Sequence, residues 1–547
     1  MTRAADWLRT AWHGAALLAL ALCLTGCASV LPTVERTPST RLAAPIDSPL
    51  GSVMTDANVA ADKTAVWPLV QAAFALDARL ALIEHATTSI DLQTYLIGDD
   101  PTGRLILRAL RDAALRGVRV RLLVDDLYTA EMDRLLLGLV ASSPNVEVRL
   151  FNPFITERAS SMRRLLALAG DFRRLNHRMH NKLFIADGAV AIVGGRNLAD
   201  EYFLRGKQGN FIDFDLLLGG SITVELGGWF DLYWNSEQVF PVQDVVHASH
   251  GIDSTDLADP AYAALRAGFD QVTRADKAEP VPAVDDVFGA PAWHVQLTQR
   301  RFHWLTAEAR SYADSPLKIV SDKAIAAVPI GAPKRRPDTL THRFLNLLGT
   351  AEHDVLLISP YFIPSTEALG QIRHIRDREV RVRVVTNSLA VSDEPLVSVG
   401  FERHQVELLK LGVELYELSS TRLKLDRNLR TLLGESIGRL HAKLGIIDRR
   451  TVLVGSMNLD PRSSNINTEI GVAIESPQLA SMIQDGFKIE ELLGAYQVRL
   501  DPSGAGVRWT AVDAGAENEE LEVDPDTTLW QRLRLLLISM FVPESQL

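Results

Sequence analysis

The strongest constraint on this chain is a polar frame that occurs twice. HRMHNKLFIADGAVAIVGGRN, residues 177–197, and RLHAKLGIIDRRTVLVGSMN, residues 439–458, share the spacing H-x-K-x4-D-x6-G-x2-N. Residues two apart in a strand point to one face, so His180 and Lys182 project together, as do His441 and Lys443. Asp187-Gly188 is a hairpin turn pair, and the returning strand carries Asn197 back toward the first histidine, with Asn458 at the same place in the second copy. A lone histidine in a strand is more often structural than catalytic, but a chance origin does not account for two complete copies.

The repeat extends beyond the hairpins. Residues 74–150 alternate helix-like segments (ALDARLALIEHA, GRLILRALRDAALRG) with strand-like ones (SIDLQTYLI, VRVRLLVDD, VEVRLFN), and the same order returns after about residue 340. Such alternation predicts an α/β fold with a mainly parallel sheet covered by helices. The expected divisions are a leader over 1–26, a flexible tether over 27–60, a first lobe over 61–240, an inter-lobe insertion over 241–335, a second lobe over 336–510, and an acidic linker with an amphipathic C-terminal helix over 511–547. That final apolar run, TTLWQRLRLLLISMFV, is too short to span a bilayer and suits a membrane interface, although packing on the second lobe explains it equally well.

Two imidazoles, two ammonium groups and two carboxamides meeting in one pocket suit an oxygen-rich monoanion such as a phosphodiester. One histidine can attack phosphorus while the other, protonated, gives its proton to the departing alkoxide, and this inventory requires no metal or cofactor. Asp187 and Asp448 lie at the turns, five residues beyond the lysines, and are expected to hold the hairpins or pair with a basic group. NFIDFDLLL and NINTEIGVAIE place carboxylates in strand-like runs, and a carboxylate can orient an imidazole. Asp215 and Glu469 are expected to belong to the site; for Asp213 structural pairing is an equal alternative.

The chain has 547 residues and a formal net charge of −11, so no sequence-wide basic field attracts nucleic acid. At the N-terminus Arg3 and Arg9 precede an apolar run from Ala15 to Leu24, the layout of an export signal. Leu24-Thr25-Gly26-Cys27 resembles a bacterial lipobox, in which Cys27 becomes the lipidated first residue. Removal of residues 1–26 takes away Cys23 and leaves no partner for an intrachain disulfide.

Together these residues resemble the phospholipase D superfamily, whose two HKD motifs match His180-Lys182-Asp187 and His441-Lys443-Asp448. RVRLLVDD, VEVRLFNPF, DFRRLNHRMHNK, VTNSLA, GVELYEL, GSMNLDPRS and NTEIGVAIES are similar to the bacterial cardiolipin synthase C group over nearly all of the mature chain. The resemblance implies two α/β/α sandwich lobes related by a pseudo-twofold, with the active site at their interface. It implies His180 as nucleophile and His441 as general acid and later base. Lys182, Lys443, Asn197 and Asn458 would then hold the phosphoryl oxygens. The implied reaction transfers a phosphatidyl group to phosphatidylglycerol, with phosphatidylethanolamine as a further candidate substrate, at a membrane surface of the bacterial envelope. Ala28 after Cys27 favours the outer membrane in the lipoproteins it resembles, whereas cardiolipin synthesis is expected at the inner one. Hydrolysis through the same intermediate is the alternative function, and a catalytically dead lipoprotein scaffold is a third.

Overall fold

The computed structural model describes residues 34–129, 131–154, 162, 164, 171–247, 252, 256–274, 281–282, 284–319, 339–424, 436–487, 494–512 and 520–539. The leader, Cys27 and the first part of the tether lie outside them.

The first lobe is built on β1 (Thr64–Leu69), β2 (Ser89–Thr94), β3 (Arg119–Asp125), β4 (Val146–Phe151), β5 (Leu183–Ala186), β6 (Val190–Gly194), β7 (Gly209–Ile212), β8 (Asp215–Gly220) and β9 (Val239–Pro241). After β10 (Leu305–Ala313), the second contains β11 (Asp354–Ile358), β12 (Arg381–Asn387), β13 (Glu414–Leu418), β14 (Ile437–Leu440), β15 (Leu444–Ile447), β16 (Thr451–Gly455), β17 (Ile470–Glu475), β18 (Ala495–Leu500), β19 (Val507–Ala511) and β20 (Glu520–Leu521). The repeat read from the sequence therefore folds as two α/β lobes with matching strand order.

Helices cover the strands for local reasons. Pro101–Leu115 starts where the Asp100 side chain accepts from Gly103 N and proline fills the first turn. Its Ile106, Leu107, Leu110, Ala113 and Ala114 recur at helical spacing on the buried face. Gly117, at φ +99°, ends it in the left-handed region that favours glycine.

Hydrogen bonding runs in one line, β9-β4-β3-β2-β5-β6-β8-β1-β10-β17-β16-β15-β11-β12-β13-β18-β19-β20, and β7 pairs separately with β14. Within this line only β2–β3, β3–β4, β11–β12 and β12–β13 are parallel. The expected mainly parallel sheet is thus corrected to a mixed one: each central trio is extended by the antiparallel motif hairpin and its neighbours. The short loops after Asp187 and Asp448 permit only antiparallel return.

Three expected boundaries also change. Residues 34–60 are not a free tether. Arg36 Nε donates to Val239 O at 2.6 Å, Arg121 Nη1 donates to Ser39 O at 3.1 Å, and Leu50 and Val53 are fully buried. The stretch read as an inter-lobe insertion contains helix Pro260–Val272, packed on helix Asp133–Val140, and β10, which belongs to the sheet. β10 stands to β17 as β1 stands to β8, and β10 and β1 pair antiparallel, Thr64 opposite Ala307. The second repeat consequently begins at β10, and the pseudo-twofold passes between these strands. The acidic region after residue 511 adds β20 to the edge of the second lobe.

Candidate active site

Each motif hairpin is closed by its aspartate. The buried Asp187 carboxylate accepts from Thr88 N at 2.7 Å, Ser89 N at 2.9 Å and Thr87 N at 3.0 Å, tying the hairpin to the start of β2. Asp448 accepts in the same way from His353 N at 2.7 Å, Glu352 N at 2.9 Å and Asp354 N at 3.0 Å at the start of β11. Partial burial would raise the Asp448 carboxyl, but these three backbone donors outweigh it and hold it below its ordinary value. Neither aspartate pairs with a basic side chain in these contacts; both hold backbone. The motif glycines admit the neighbouring strand: a Cβ on Gly194 would stand 2.2 Å from Asp215 Oδ1, and one on Gly455 2.3 Å from Ile470 O.

The lobes hold each other's histidines at two points. His180 N donates to Thr468 O at 2.9 Å, and its Nδ1 lies 2.9 Å from Oε2 of the next residue, Glu469. His441 N donates to Ile212 O at 2.8 Å, and its Nδ1 lies 2.6 Å from Oδ2 of the next residue, Asp213. A carboxylate on Nδ1 fixes the tautomer that keeps hydrogen there and leaves Nε2 with a lone pair. Neither Nε2 has a hydrogen-bond partner among the described residues. Glu469 is itself fixed by Ser463 Oγ at 2.8 Å and Ser456 Oγ at 2.5 Å.

Asp215 departs from expectation. It lies in a buried ion cluster with Arg79 Nη2 at 2.8 Å and Arg196 Nη1 at 3.0 Å, so it is a packing group of the first lobe. Burial would raise its carboxyl, but the two guanidinium groups pull it below its usual value. Asp213 takes the place beside the histidine because the backbone leaves strand geometry between β7 and β8. Glu469 meets His180 through its carboxylate and is an orienting partner in this geometry.

The two lysines are buried and each donates to its own histidine's carbonyl, Lys182 Nζ to His180 O at 2.9 Å and Lys443 Nζ to His441 O at 2.6 Å. Burial pushes Lys182 down to about 7 and Lys443 down to about 8, against the pull of Glu469 and Asp213. Burial pushes His180 down to about 4, Lys182 and Lys443 adding to the effect while Glu469 opposes it. His441 is lowered by burial and by Lys443, with Asp213 opposing. Burial would raise Glu469, but His180 and Lys182 hold it below its usual value. The carboxamide oxygens of buried Asn197 and Asn458 have no hydrogen-bond partner among the described residues, while the Asn197 side chain also reaches the Tyr202 phenol.

Sequence reasoning missed the aromatic walls. Tyr95 lies edge-on to His180 with ring centres 4.9 Å apart and also contacts Tyr128 at 5.3 Å, while Tyr202 and Phe211 flank His441 at 5.1 and 4.9 Å. It also missed Arg462, whose Nη1 and Nη2 each donate to Asn176 of the other lobe at 3.0 Å. Tyr95 follows directly on β2, and a polar aromatic at a strand's C-terminal end was the available signal.

These paired hairpins and crossed carboxylates define a two-lobed phospholipase D-like protein, and residues 80–216 and 344–490 each match the family model "Cardiolipin synthase, PLD-like domain". The chain belongs to this family. Cardiolipin synthase C of Escherichia coli (strain K12) is 36% identical over 482 residues, covering 88% of this chain and 95% of that protein. An uncharacterized protein of Helicobacter pylori is 29% identical over 513 residues, covering 92% and 93%. The crystal structure of phosphatidylserine synthase from Haemophilus influenzae shares the fold, with a TM-score of 0.51 and 13% identity over 88% of this chain and 95% of that one. Among the described residues no helix is long and apolar enough to cross a membrane.

Proposed function

We propose that this protein is a membrane-associated phosphatidyltransferase that makes cardiolipin from phosphatidylglycerol through a phosphohistidine intermediate. The reciprocal clasp of His180 by Glu469 and His441 by Asp213 carries the reading, because it presents two imidazoles of fixed tautomer beside two lysines. His180 is assigned as the nucleophile and His441 as its acid; burial favours the neutral imidazole at both. His180 Nε2 attacks phosphorus, the bond to the donor's headgroup oxygen breaks, and His441 as imidazolium protonates that oxygen. His441 then takes the hydroxyl proton of an incoming phosphatidylglycerol, whose oxygen attacks phosphorus and releases His180. Lys182, Lys443 and the carboxamides of Asn197 and Asn458 bind the non-bridging oxygens, where charge develops. Asp187 and Asp448 support the site by holding the hairpins.

Support comes from the family membership and from the relatedness to cardiolipin synthase C of Escherichia coli over 95% of that protein. Acylated Cys27 is proposed as the anchor to the envelope membrane. The test is mass spectrometry of lipids after the purified protein meets vesicles of phosphatidylglycerol and phosphatidylethanolamine, with His441→Ala in parallel. Cardiolipin from the wild type alone supports the transferase; phosphatidic acid as sole product replaces it with a hydrolase. Released ethanolamine or glycerol identifies the donor.

A further inference from the structure

The C-terminal helix Leu529–Ser539 presents three different sides. Toward the second lobe it packs on helix Pro395–Lys410, where burial raises the Glu402 and Asp524 carboxyls and the nearby charge of Arg532 only partly opposes this. On a second side Arg534, Leu535 and Ile538 face Leu389, Ala390 and Pro395 across a cavity of about 300 Å³. On the third, Leu529, Trp530, Leu533 and Leu537 are bare, at 66, 76, 44 and 58% exposure. At about 100° per residue these four fall in one stripe about 100° wide.

A helix of this length reaches only about 16 Å, half the hydrocarbon thickness of a bilayer, so such a stripe can seat along a membrane and not through it. Tryptophan and leucine on the bare side with exposed Arg534 beside them match the layering of the headgroup boundary, where apolar groups sit below lipid phosphates. The cavity beside the stripe has Ser392 and Pro395 in its wall, on either side of Glu394, whose charge reaches the Tyr128 phenol; Tyr128 packs on Tyr95, which packs on His180.

We infer that Leu529, Trp530, Leu533 and Leu537 dock the second lobe on a phospholipid bilayer, holding the cavity beside residues 389–395 against the surface from which substrate enters. This rests on the lipid-substrate reading above. A phospholipid surface is favoured over a second copy of the chain because the bare stripe is narrow, borders the cation of Arg534 and lies beside the cavity.

The test uses the full chain reconstituted in phosphatidylglycerol and phosphatidylethanolamine vesicles, with the emission of Trp530 isolated as the difference between wild type and Trp530→Phe. Docking requires that acyl-brominated lipids quench this emission and that aqueous acrylamide does not. Quenching by acrylamide alone overturns it, and so does shielding from both, which marks a protein partner. In the second arm Leu533→Glu/Leu537→Glu should lower turnover of vesicle lipid about tenfold or more. Turnover of a dispersed short-chain phosphatidylglycerol should stay within about twofold, a difference too small to signal lost binding energy. Equal loss on both substrates, or no loss on either, overturns the proposal. If the protein turns over no lipid at all, the function reading fails while the quenching arm still decides docking.

Discussion

Asp213 Oδ2 lies 2.6 Å from Nδ1 of His441, a residue 228 positions away on the other lobe, while Asp215, two residues on, faces Arg79 and Arg196. This split gives the first prediction. Asp213→Asn should lower turnover by about 10²-fold or more with the melting temperature little changed, because imidazole orientation and charge support are lost. Asp215→Asn should cost about 3–5 kcal/mol of stability by leaving two buried guanidinium groups short of charge. Thermal melting and kinetics on the two variants separate these outcomes; the reverse pattern would contradict the assignment.

The pH profile of kcat/KM should be narrow and acidic. The proposed mechanism calls for neutral His180, whose imidazole is depressed to about 4, and protonated His441, which burial holds below the ordinary 6.5. The rate should therefore rise above about 4 and fall before 6.5, the limits belonging to the coupled cluster. Removing the Asp213 charge withdraws support from the imidazolium, so Asp213→Asn moves the basic limb to lower pH. Stability follows the same group: as pH falls, the unfolded chain protonates His180 near 6.5 while the folded chain resists to about 4. Stability present above 6.5 is lost across that interval. A profile centred above pH 8 would be incompatible.

The motif aspartates should behave unequally. Asp187→Ala strands backbone donors in a buried corner, and each buried unsatisfied group costs about 1–3 kcal/mol. The donors around Asp448 are nearer solvent, and water replaces much of what Asp448→Ala removes. Denaturant unfolding should show a clearly larger loss for Asp187→Ala, with activity falling in step with the folded fraction.

β10 joins the two sheets, so they should unfold together. Ala309→Pro, opposite Ile474 in the middle of the β10–β17 ladder, should cost about 3 kcal/mol or more and split one unfolding transition into two. Calorimetry reads this directly, and a single transition at unchanged temperature would show that the joint carries no cooperativity.

What could be read from the sequence was local. Histidine and lysine in each hairpin are linked by the two-residue strand period, and each lysine reaches the carbonyl of its own histidine. Asp213 and Asp215 share one strand-like run in the sequence, and what separates their partners is the break between Ile212, where β7 ends, and Asp215, where β8 begins. The role of β10 depends on pairing with strands more than 150 residues away on either side, although LTAEARSYA alternates buried and exposed positions as a half-covered strand should. The docking of residues 34–60 rests largely on backbone carbonyls receiving arginine donors, which leave no pattern in side-chain type.

The β1–β10 ladder has a consequence for the order of events. Enzymes that carry a reactive acyl or phosphoryl group often shut like a clamshell between half-reactions. Here, among the described residues, the halves are stitched along a sheet and clasped again at both histidines, which opposes such a swing. On the proposed reaction, both alcohols use the same phosphorus on His180 in turn, so departure of the first must precede attack by the second. The expected kinetics are then ping-pong, with the loaded histidine guarded by a cleft held shut along the sheet rather than by closure of the lobes.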